Sequence, residues 1–383
     1  MAKTVVILGG GIGGLVTANE VRRRLPREHR VVVVEREEAF VFPASLLWVL
    51  TGDRELAEIS RPLARLARKG IEVVRGEVDA IDPSRREVSV GGRRLTSDYL
   101  VIALGAEPAP ELVPGLAEAG HSLYTPAGVM AARAALRRFE GGRLVLLTAA
   151  PAYKCPAAPY EAAMLVESYC RRRAIRDRTE IDLYAAEAGP MGVAGPEVTR
   201  AVRGMVEAKG IVYHPEHQLT RVDPSARRLV FANGAEASYD LLLYVPPHRA
   251  PAPVRDAGLT GESGWIGVDR ATLESSYPRV YAIGDVVSIP LKLGKPLPKA
   301  GVFARNQAAV VARNIARSIM GRGRPATFDG HGACFIEMGD GKAGFGSGDF
   351  YAEPVPRMTM RKPGRVWHLG KVLFEKTWLW RWL

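Results

Sequence analysis

The sequence contains few cysteines and no long apolar run, and both shortages restrict what the protein can be. Three cysteines in 383 residues are too few for a disulfide-stabilised scaffold. The sequence also lacks CxxC and HExxH spacings, so we expect no metal site. No uninterrupted apolar stretch reaches the ~20 residues that a membrane-spanning helix needs.

Acidic residues are also in deficit, because 53 Lys and Arg residues face 41 Asp and Glu residues and give a net charge of +12. Such an excess favours an anionic partner, namely nucleic acid, anionic lipid or a small anion. Outside the C-terminal tail there is no nucleic-acid-binding module and no basic stripe with interleaved aromatic residues, so we expect no nucleic-acid partner. The chain passes at once into the apolar run Val5–Leu8 and lacks the features of a secretion signal, which predicts retention in the cytosol.

The first 35 residues have the pattern of a dinucleotide-binding unit. Thr4–Leu8 is a continuous apolar run, typical of a central parallel strand, and a glycine-rich loop and a helical pattern follow it. In the GxGxxG spacing, Gly9 permits a tight turn, Gly11 lets the backbone approach a pyrophosphate, and Gly14 lets the helix pack on the strand. A second apolar strand ends at Glu35, whose carboxylate suits ribose hydroxyls.

Two later segments complete this pattern. The apolar strand at 99–106 ends in small residues, and the strand at 279–285 ends in Gly284 and Asp285. Together with the glycine loop, these segments resemble the two-dinucleotide-domain flavoproteins, the family of pyridine-nucleotide disulfide oxidoreductases. The resemblance implies that the glycine loop holds the ADP half of FAD and that Asp285 binds its ribityl chain or pyrophosphate. The FAD-binding residues implied are Gly9, Gly11, Ile12, Gly13, Gly14, Glu35, Arg36, Ser45, Val78, Ala103, Gly105, Gly284, Asp285, Lys299 and Gly301.

The middle of the chain predicts a second domain of the same type that has lost its nucleotide. Gly142–Thr148 reads as its opening strand. An NADH-using relative should place a second GxGxxG directly after this strand, but the sequence there is Ala149–Pro156. Pro151 and Pro156 cannot donate N–H groups, and no glycine permits the tight turn. We therefore predict that the fold persists while the nicotinamide site is absent.

These observations predict an α/β protein with two Rossmann-like dinucleotide-binding domains, the second inserted in the first. The FAD-binding domain is expected to be discontinuous and to comprise residues 1–110 and 247–330. The second Rossmann-like domain is expected at 111–246 and carries Cys155. Residues 331–383 are expected to form a C-terminal segment with Cys334 and an amphipathic helix that contacts membrane and quinone.

Two of the three cysteines have informative surroundings. Cys155 lies in Lys154-Cys155-Pro156-Ala157-Ala158-Pro159-Tyr160-Glu161, and Cys334 precedes a Glu and a Gly-Asp-Gly turn. Both surroundings, and the segment Pro298–Gly301, resemble sulfide:quinone oxidoreductase and the flavin subunit of flavocytochrome c sulfide dehydrogenase. The resemblance implies that Cys155 and Cys334 face each other over the flavin. Many of these relatives have a third cysteine where this chain has Tyr124.

The chemistry expected of the pair is thiol–disulfide exchange. Hydrosulfide attacks a disulfide and leaves one persulfide and one thiolate. We expect Lys154 to favour the thiolate of its neighbour Cys155, and Glu161 to accept a proton. Lys299, if it lies near the flavin, is expected to stabilise the reduced ring. Cys170 lies on a helical pattern and is expected to be a buried core residue.

The C-terminal tail has the composition of an interfacial membrane anchor. It combines Trp367, Trp378, Trp380 and Trp382 with interspersed Lys and Arg residues. Apolar residues recur at helical spacing, at Leu369, Val372 or Leu373, Trp380 and Leu383. We expect peripheral attachment to the cytoplasmic face of a membrane, where a lipid-soluble quinone can be met. The same resemblance makes Phe374 a candidate for stacking on the quinone ring.

The sequence therefore predicts an FAD-dependent enzyme that oxidises sulfide to sulfane sulfur or polysulfide through Cys155 and Cys334 and passes electrons to a membrane quinone. Three alternatives remain open at this stage. One is the flavin subunit of a flavocytochrome c-type sulfide dehydrogenase, with a cytochrome as electron acceptor. Another is a type II NADH:quinone dehydrogenase, and the third is a non-catalytic flavin-binding relative. A homo-oligomeric state is left open.

Overall fold

Strands and helices alternate along most of the chain, and the computed structural model describes all residues from 1 to 383. The first part contains β1 (Thr4–Leu8), α1 (Ile12–Arg24), β2 (Arg30–Glu35), β3 (Ala39–Val41), α2 (Leu46–Leu50), β4 (Ser60–Pro62), β5 (Glu72–Arg75), β6 (Val78–Asp82), β7 (Glu87–Val90), β8 (Arg93–Thr96), β9 (Tyr99–Ile102) and β10 (Glu107–Pro108). The middle part contains α3 (Leu116–Ala119), β11 (His121–Ser122), α4 (Pro126–Arg138), β12 (Gly142–Thr148), α5 (Ala158–Arg172), β13 (Thr179–Ala185), α6 (Pro196–Glu207), β14 (Val212–His214), β15 (Leu219–Asp223), β16 (Arg228–Phe231), β17 (Glu236–Ser238), β18 (Leu241–Val245) and β19 (His248–Arg249). The last part contains α7 (Ala252–Asp256), β20 (Ile266–Gly267), β21 (Val280–Ala282), β22 (Val287–Ser288), α8 (Gly301–Met320), β23 (His331–Gly339), β24 (Lys342–Asp349), β25 (Arg357–Gly364) and α9 (Arg365–Trp382).

The first sheet is parallel and has the strand order β21-β9-β1-β2-β5. β1 is central in this sheet, and its residues Val5–Leu8 are fully buried, as their continuous apolar sequence predicts. Helices α1 and α8 pack against each other, and the side chain of Ala304 on α8 lies close to Gly13 on α1. Because the strands are parallel, the loops after β1, β2, β9 and β21 all leave from one edge, where ligands bind in this type of sheet.

The second sheet is also parallel, with the order β11-β18-β12-β13-β14. Its strands all lie between His121 and Val245, within the sequence interval that separates β9 from β21 of the first sheet. The loops after β11, β12, β13 and β18 leave from its carboxyl edge. The expected α/β class with parallel dinucleotide-binding sheets is therefore confirmed.

The last part of the chain adds a three-stranded antiparallel sheet, β23-β24-β25, followed directly by helix α9. The hydrophobic core includes residues of both parallel sheets and also Trp378, Leu379 and Trp382 of α9. Helix α9 is thus packed on the protein along one side. No helix in the molecule combines the length and the apolar character that crossing a bilayer requires.

Candidate functional site

The glycine loop between β1 and α1 leaves an open place next to the backbone. Gly9 has a φ of +100°, and a Cβ there would lie 2.5 Å from the carbonyl oxygen of Ala103. A Cβ on Gly14 would collide with the carbonyl of Gly9. By contrast, no atom lies within 4 Å of the place that a Cβ on Gly11 would occupy. The loop can therefore admit a phosphate group against its backbone at the N-terminus of α1.

Glu35, at the end of β2, lies beside this loop. Its Oε2 accepts a hydrogen bond from the backbone N–H of Gly10 at 2.6 Å, and its Oε1 accepts one from Glu37 at 3.0 Å. The neighbouring Arg36 is exposed and pairs with Glu77 at 3.3 Å. Val78 is buried at the start of β6. Glu35 therefore holds the glycine loop from the end of the neighbouring strand.

A second group of predicted residues follows β21. Gly284 has a φ of +76°, and its N–H donates to the side-chain oxygen of buried Gln307 at 2.7 Å. Oδ1 of Asp285 is buried and has no hydrogen-bond partner. Burial raises the pKa of Asp285, although Lys154 and Lys299 oppose this effect. A buried carboxylate oxygen without a partner is costly, which fits a ligand hydroxyl at this point.

Lys299 connects this group to the cysteine loop. Its Nζ donates to the carbonyl oxygens of Asp285 at 2.7 Å and Val287 at 3.0 Å, and it lies 3.4 Å from the centre of the Trp265 ring. Burial lowers the pKa of Lys299 to about 8, with Asp285 opposing the shift. Its carbonyl oxygen accepts the N–H of Cys155 at 2.6 Å. The predicted cofactor segment and the predicted redox loop therefore adjoin.

Asp285 provides a test of the cofactor site. We expect Asp285→Ala to weaken FAD binding by about 10- to 100-fold, the usual cost of losing a hydrogen bond to a charged group. The measurement is the dissociation constant of FAD, obtained by adding it back to deflavinated protein. Asp256→Ala, at an exposed position, is the matched control and should bind FAD as wild type does. Equal affinities for all three proteins would contradict the assignment of Asp285.

Cys155 lies in the loop after β12, in a conformation that is unusual for a residue with a side chain. Its φ is +51°, a left-handed value that costs ~1–3 kcal/mol unless neighbouring contacts impose it. Those contacts are its N–H bond to Lys299 and a hydrogen bond from the Tyr124 hydroxyl to its carbonyl oxygen at 3.1 Å. Tyr124 thus anchors the loop through its hydroxyl.

The structure brings the strand of Cys334 against the helix that follows Cys155, because Glu161 on α5 accepts a hydrogen bond from Glu337 on β23. Cys334 lies on β23, half-buried, and its thiol donates to the carbonyl oxygen of Phe335 at 3.2 Å. The side chain of Cys155 is exposed to solvent on one side, but desolvation by the groups packed around it raises its pKa to about 12. Burial together with charge on Cys155 raises the pKa of Cys334. Cys170 is fully buried in α5, as expected of a core residue. Two thiols that are remote in the sequence are therefore near enough for charge on Cys155 to raise the pKa of Cys334.

Glu161 lies between β23 and α9, and its carboxylate is almost fully buried. Its Oε1 accepts the N–H of Glu337 at 3.1 Å, and its Oε2 lies 3.3 Å from Nζ of Lys371. His368 pairs through Nδ1 with both carboxylate oxygens of Glu337 at 3.1 Å. Burial raises the pKa of Glu161, and Glu337 adds to the rise while Lys371 opposes it. Glu161 is thus a carboxyl group that retains its proton to a higher pH than usual.

Lys371, which sequence reasoning missed, is the cation of this site. It is buried on α9, and although burial opposes its charge, Glu161 and Glu337 together raise its pKa. It lowers the pKa of both Cys155 and Cys334. Lys154 donates from its Nζ to the carbonyl oxygen of Ala106 at 3.3 Å. Burial lowers the pKa of Lys154, and charge on Asp285 and on Cys155 opposes this effect, so the expectation that Lys154 favours the Cys155 thiolate stays a prediction.

Two further predicted residues lie at α9. The hydroxyl of Ser45 donates to buried Glu375 at 2.6 Å, and its predicted contact with FAD stays a prediction. The ring of Phe374 is half-buried between Phe42 at 5.7 Å and Phe335 at 6.3 Å, measured between ring centres. Since Phe335 follows Cys334 directly, an aromatic cluster extends from the thiols to α9.

Comparisons with known proteins agree with this geometry. Residues 3–312 match the family model described as pyridine nucleotide-disulphide oxidoreductase. The chain is 28% identical to the sulfide-quinone reductase of Aquifex aeolicus, covering all of this chain and 91% of that protein. It is 26% identical to the mitochondrial sulfide:quinone oxidoreductase of Mus musculus, covering 92% and 79%. The crystal structure of the Aquifex aeolicus sulfide:quinone oxidoreductase superposes with a TM-score of 0.90 at 26% identity, covering 100% and 91%.

Proposed function

The chain belongs to the pyridine nucleotide-disulphide oxidoreductase family, and we propose that within it the protein oxidises sulfide to sulfane sulfur and delivers the electrons to a quinone. The observation that carries this proposal is that the segments of Cys155 and Cys334 meet at one buried carboxyl–lysine pair. Glu161, on the helix after Cys155, accepts the N–H of Glu337 on the strand of Cys334 and pairs with Lys371. The relatives named for sulfide and quinone support it, since they match over nearly the full length of the chain.

The enzyme is an oxidoreductase, and its cofactor is FAD. The open glycine loop and the unpartnered oxygen of Asp285 fit this cofactor, and Glu35 and Gly284 would hold it from the carboxyl edge of the first sheet. When bound, FAD supplies a two-electron acceptor. Lys299 contributes a positive charge at the junction of this edge with the cysteine loop.

The proposed sulfur chemistry uses only the two thiols of the pair. In their oxidised state, the sulfur of hydrosulfide forms a bond to one cysteine while the bond between the two cysteines breaks. One cysteine then carries a persulfide and the other is a thiolate, so the sulfide sulfur has been oxidised and the disulfide reduced. Lys371 favours the thiolate, because its charge lowers the pKa of both cysteines.

Glu161 is proposed to accept the proton of the attacking hydrosulfide or of the product persulfide. Its pKa is raised by burial, which brings a carboxyl group nearer to the pH at which a general base is effective. Lys371 and the N–H of Glu337 fix the orientation of its two oxygens. The proton then lies next to α9, the element proposed to meet the quinone, with Phe374 as the stacking residue.

Helix α9 exposes a row of large apolar side chains, and this supports a proposed membrane contact. Two of its charged residues, Lys371 and Glu375, are buried against the protein together with apolar residues of the same side. Four large apolar side chains on its opposite face are exposed, with exposed fractions of 73% for Val366, 64% for Leu369, 63% for Leu373 and 84% for Trp380. Half-buried Val372 and buried Leu383 do not belong to this face. Such a face suits the interfacial region of a membrane, and we place it on the cytoplasmic side.

The membrane contact is tested by replacing this face. Leu369→Asn combined with Leu373→Asn and Trp380→Ser should weaken binding to phosphatidylglycerol-containing vesicles by at least about 10-fold, because the apolar area available for burial is lost. Flotation of the FAD-loaded protein with the vesicles is the measurement. Leu112→Asn, which alters an exposed leucine far along the chain, should float as wild type does. Unchanged flotation of the triple variant would refute the contact.

The function is tested by anaerobic mixing of the FAD-loaded protein with sulfide or with NADH. We expect sulfide to bleach the flavin absorbance and a soluble quinone analogue to restore it, while NADH has no effect. Bleaching by NADH and not by sulfide would favour an NADH:quinone dehydrogenase instead. Reoxidation by a cytochrome and not by quinone would favour a flavocytochrome c-type subunit. We propose three parts for the chain: an FAD-binding domain at 1–110 and 247–330, a second domain with Cys155 at 111–246, and a C-terminal segment with Cys334 at 331–383.

A further inference from the structure

Glu187 forms a small hydrogen-bond cluster beside the cysteine loop that the proposed mechanism does not use. It lies two residues after β13, at the carboxyl edge of the second sheet. Its Oε1 accepts the hydroxyl of Tyr160 at 2.7 Å and that of Tyr153, and its Oε2 accepts the hydroxyl of Thr148 at 2.8 Å. Tyr153 and Tyr160 are buried, while Glu187 itself is half-buried.

The position of Glu187 in its sheet corresponds closely to that of Glu35 in the first sheet. Leu8, the last residue of β1, pairs with Val34, and Thr148, the last residue of β12, pairs with Ala185. Glu35 is one residue beyond its pair, and Glu187 is two residues beyond. An acid at this point of a dinucleotide-binding domain binds ribose hydroxyls. In this chain, protein hydroxyls already occupy both oxygens of Glu187.

Two of the three donors to Glu187 lie close in the sequence to the proposed reactive residues Cys155 and Glu161. Tyr153 precedes Cys155 by two residues, and Tyr160 is the residue next to Glu161. The ring of Tyr153 packs edge-on against Tyr124 with 6.5 Å between ring centres, and the Tyr124 hydroxyl holds the carbonyl of Cys155. One carboxylate therefore anchors the loop and the first turn of α5 together, between which Cys155 adopts its left-handed conformation.

From this geometry we infer that Glu187 is a positioning residue for Cys155, and that the same contacts exclude a nicotinamide nucleotide from the second domain. Glu187 occupies the position at which an acid binds ribose in related domains, but here it stabilises the loop that carries Cys155. The link to sulfide oxidation rests on the proposed function, whereas the effect on Cys155 does not. A carboxylate with three hydroxyl donors restrains a loop whose prolines and left-handed residues give it no regular structure.

The experiment compares Glu187→Ala with Glu187→Gln, whose amide oxygen can still accept a hydroxyl, and with Glu180→Ala at an exposed position of the same strand. The first readout is independent of function: the rate of iodoacetamide alkylation of Cys155 relative to Cys334, by peptide mapping of FAD-loaded protein. We expect Glu187→Ala to change this ratio at least about 5-fold, and Glu187→Gln and Glu180→Ala to leave it near the wild-type value.

The second readout is the limiting rate of flavin bleaching at saturating sulfide. We expect Glu187→Ala to lower it about 10-fold, as a small displacement of a reacting group does, with little change in the sulfide concentration for half-saturation. Tyr153→Phe removes one donor only and should give a smaller effect of the same sign, which covers the case in which Glu187→Ala does not fold. An unchanged alkylation ratio in Glu187→Ala and Tyr153→Phe would overturn the inference. If Glu187→Ala changed the alkylation ratio but sulfide did not bleach the flavin of the wild-type protein, the inference about Glu187 would stand and the proposed function would be rejected.

Discussion

Replacing Cys155 with Ser is expected to slow the anaerobic reduction of bound FAD by sulfide by about 10³-fold or more, the scale seen when a reacting nucleophile is removed. A hydroxyl cannot form the disulfide that hydrosulfide attacks, nor can it carry a persulfide. Because Cys155 is accessible in its loop and its N–H and carbonyl are held by Lys299 and Tyr124, the substitution should leave the loop in place. Stopped-flow absorbance of the flavin is the measurement.

Two further serine variants make this result specific. Cys334→Ser should be as slow as Cys155→Ser, because the pair needs both sulfurs. Cys170→Ser alters a thiol buried in α5 and should keep the wild-type rate constant per folded, FAD-loaded molecule. If Cys155→Ser and Cys334→Ser were both reduced at the wild-type rate, the thiol mechanism would be wrong, and only flavin binding would remain of the proposal.

Replacing Lys371 with Met is expected to lower the free energy of unfolding by about 3 kcal/mol, because removal of one partner of a buried ion pair leaves its counter-charge without compensation. Lys371 and Glu161 are each 6% exposed, so water cannot take the place of the lost ammonium group. Urea unfolding of the FAD-loaded protein, followed by flavin release and by circular dichroism, is the measurement. Lys342→Met, at an exposed position, is the control.

The same variant should change the pH dependence of the reaction. Burial raises the pKa of Glu161 and Lys371 opposes that rise, so without Lys371 the pKa is higher still. At any given pH less Glu161 is then ionised, and the rise of the sulfide reaction with pH should move to higher pH. Because the ionisation of sulfide affects both proteins equally, the difference between the pH profiles of wild type and Lys371→Met reports on the protein. Superimposable pH profiles would contradict the pairing of Glu161 with Lys371.

The addition of Glu161→Gln to Lys371→Met should restore part of the lost free energy of unfolding. No recovery of stability would likewise contradict the pairing.

The dinucleotide-binding part of the site could be predicted from the sequence because its signals are local. The apolar run of β1, the glycine spacing and the acid that ends β2 follow one another within the first 35 residues, and parallel pairing brings their ends to one edge. Gly284 and Asp285 were predictable for the same reason, since a buried strand precedes them. The roles predicted for individual FAD-binding residues and for Phe374 stay predictions.

The environment of the thiols could not be predicted in this way, because it is assembled from distant segments. Glu161 on α5 and Lys371 on α9 are 210 positions apart, and the composition of α9 indicated an interfacial helix. The sequence pattern does not show which of the charged and apolar side chains of this helix face the protein.

The central claim is that Cys155 and Cys334 react as one pair, and peptide mapping of the folded protein tests it most directly. After oxidation, alkylation and proteolysis, the peptides that contain Cys155 and Cys334 should be recovered joined through sulfur, while Cys170 is recovered alone. Anaerobic sulfide should then separate the two peptides and leave a persulfide on one of them. Recovery of Cys155 and Cys334 as separate, singly alkylated peptides both before and after sulfide would contradict the account.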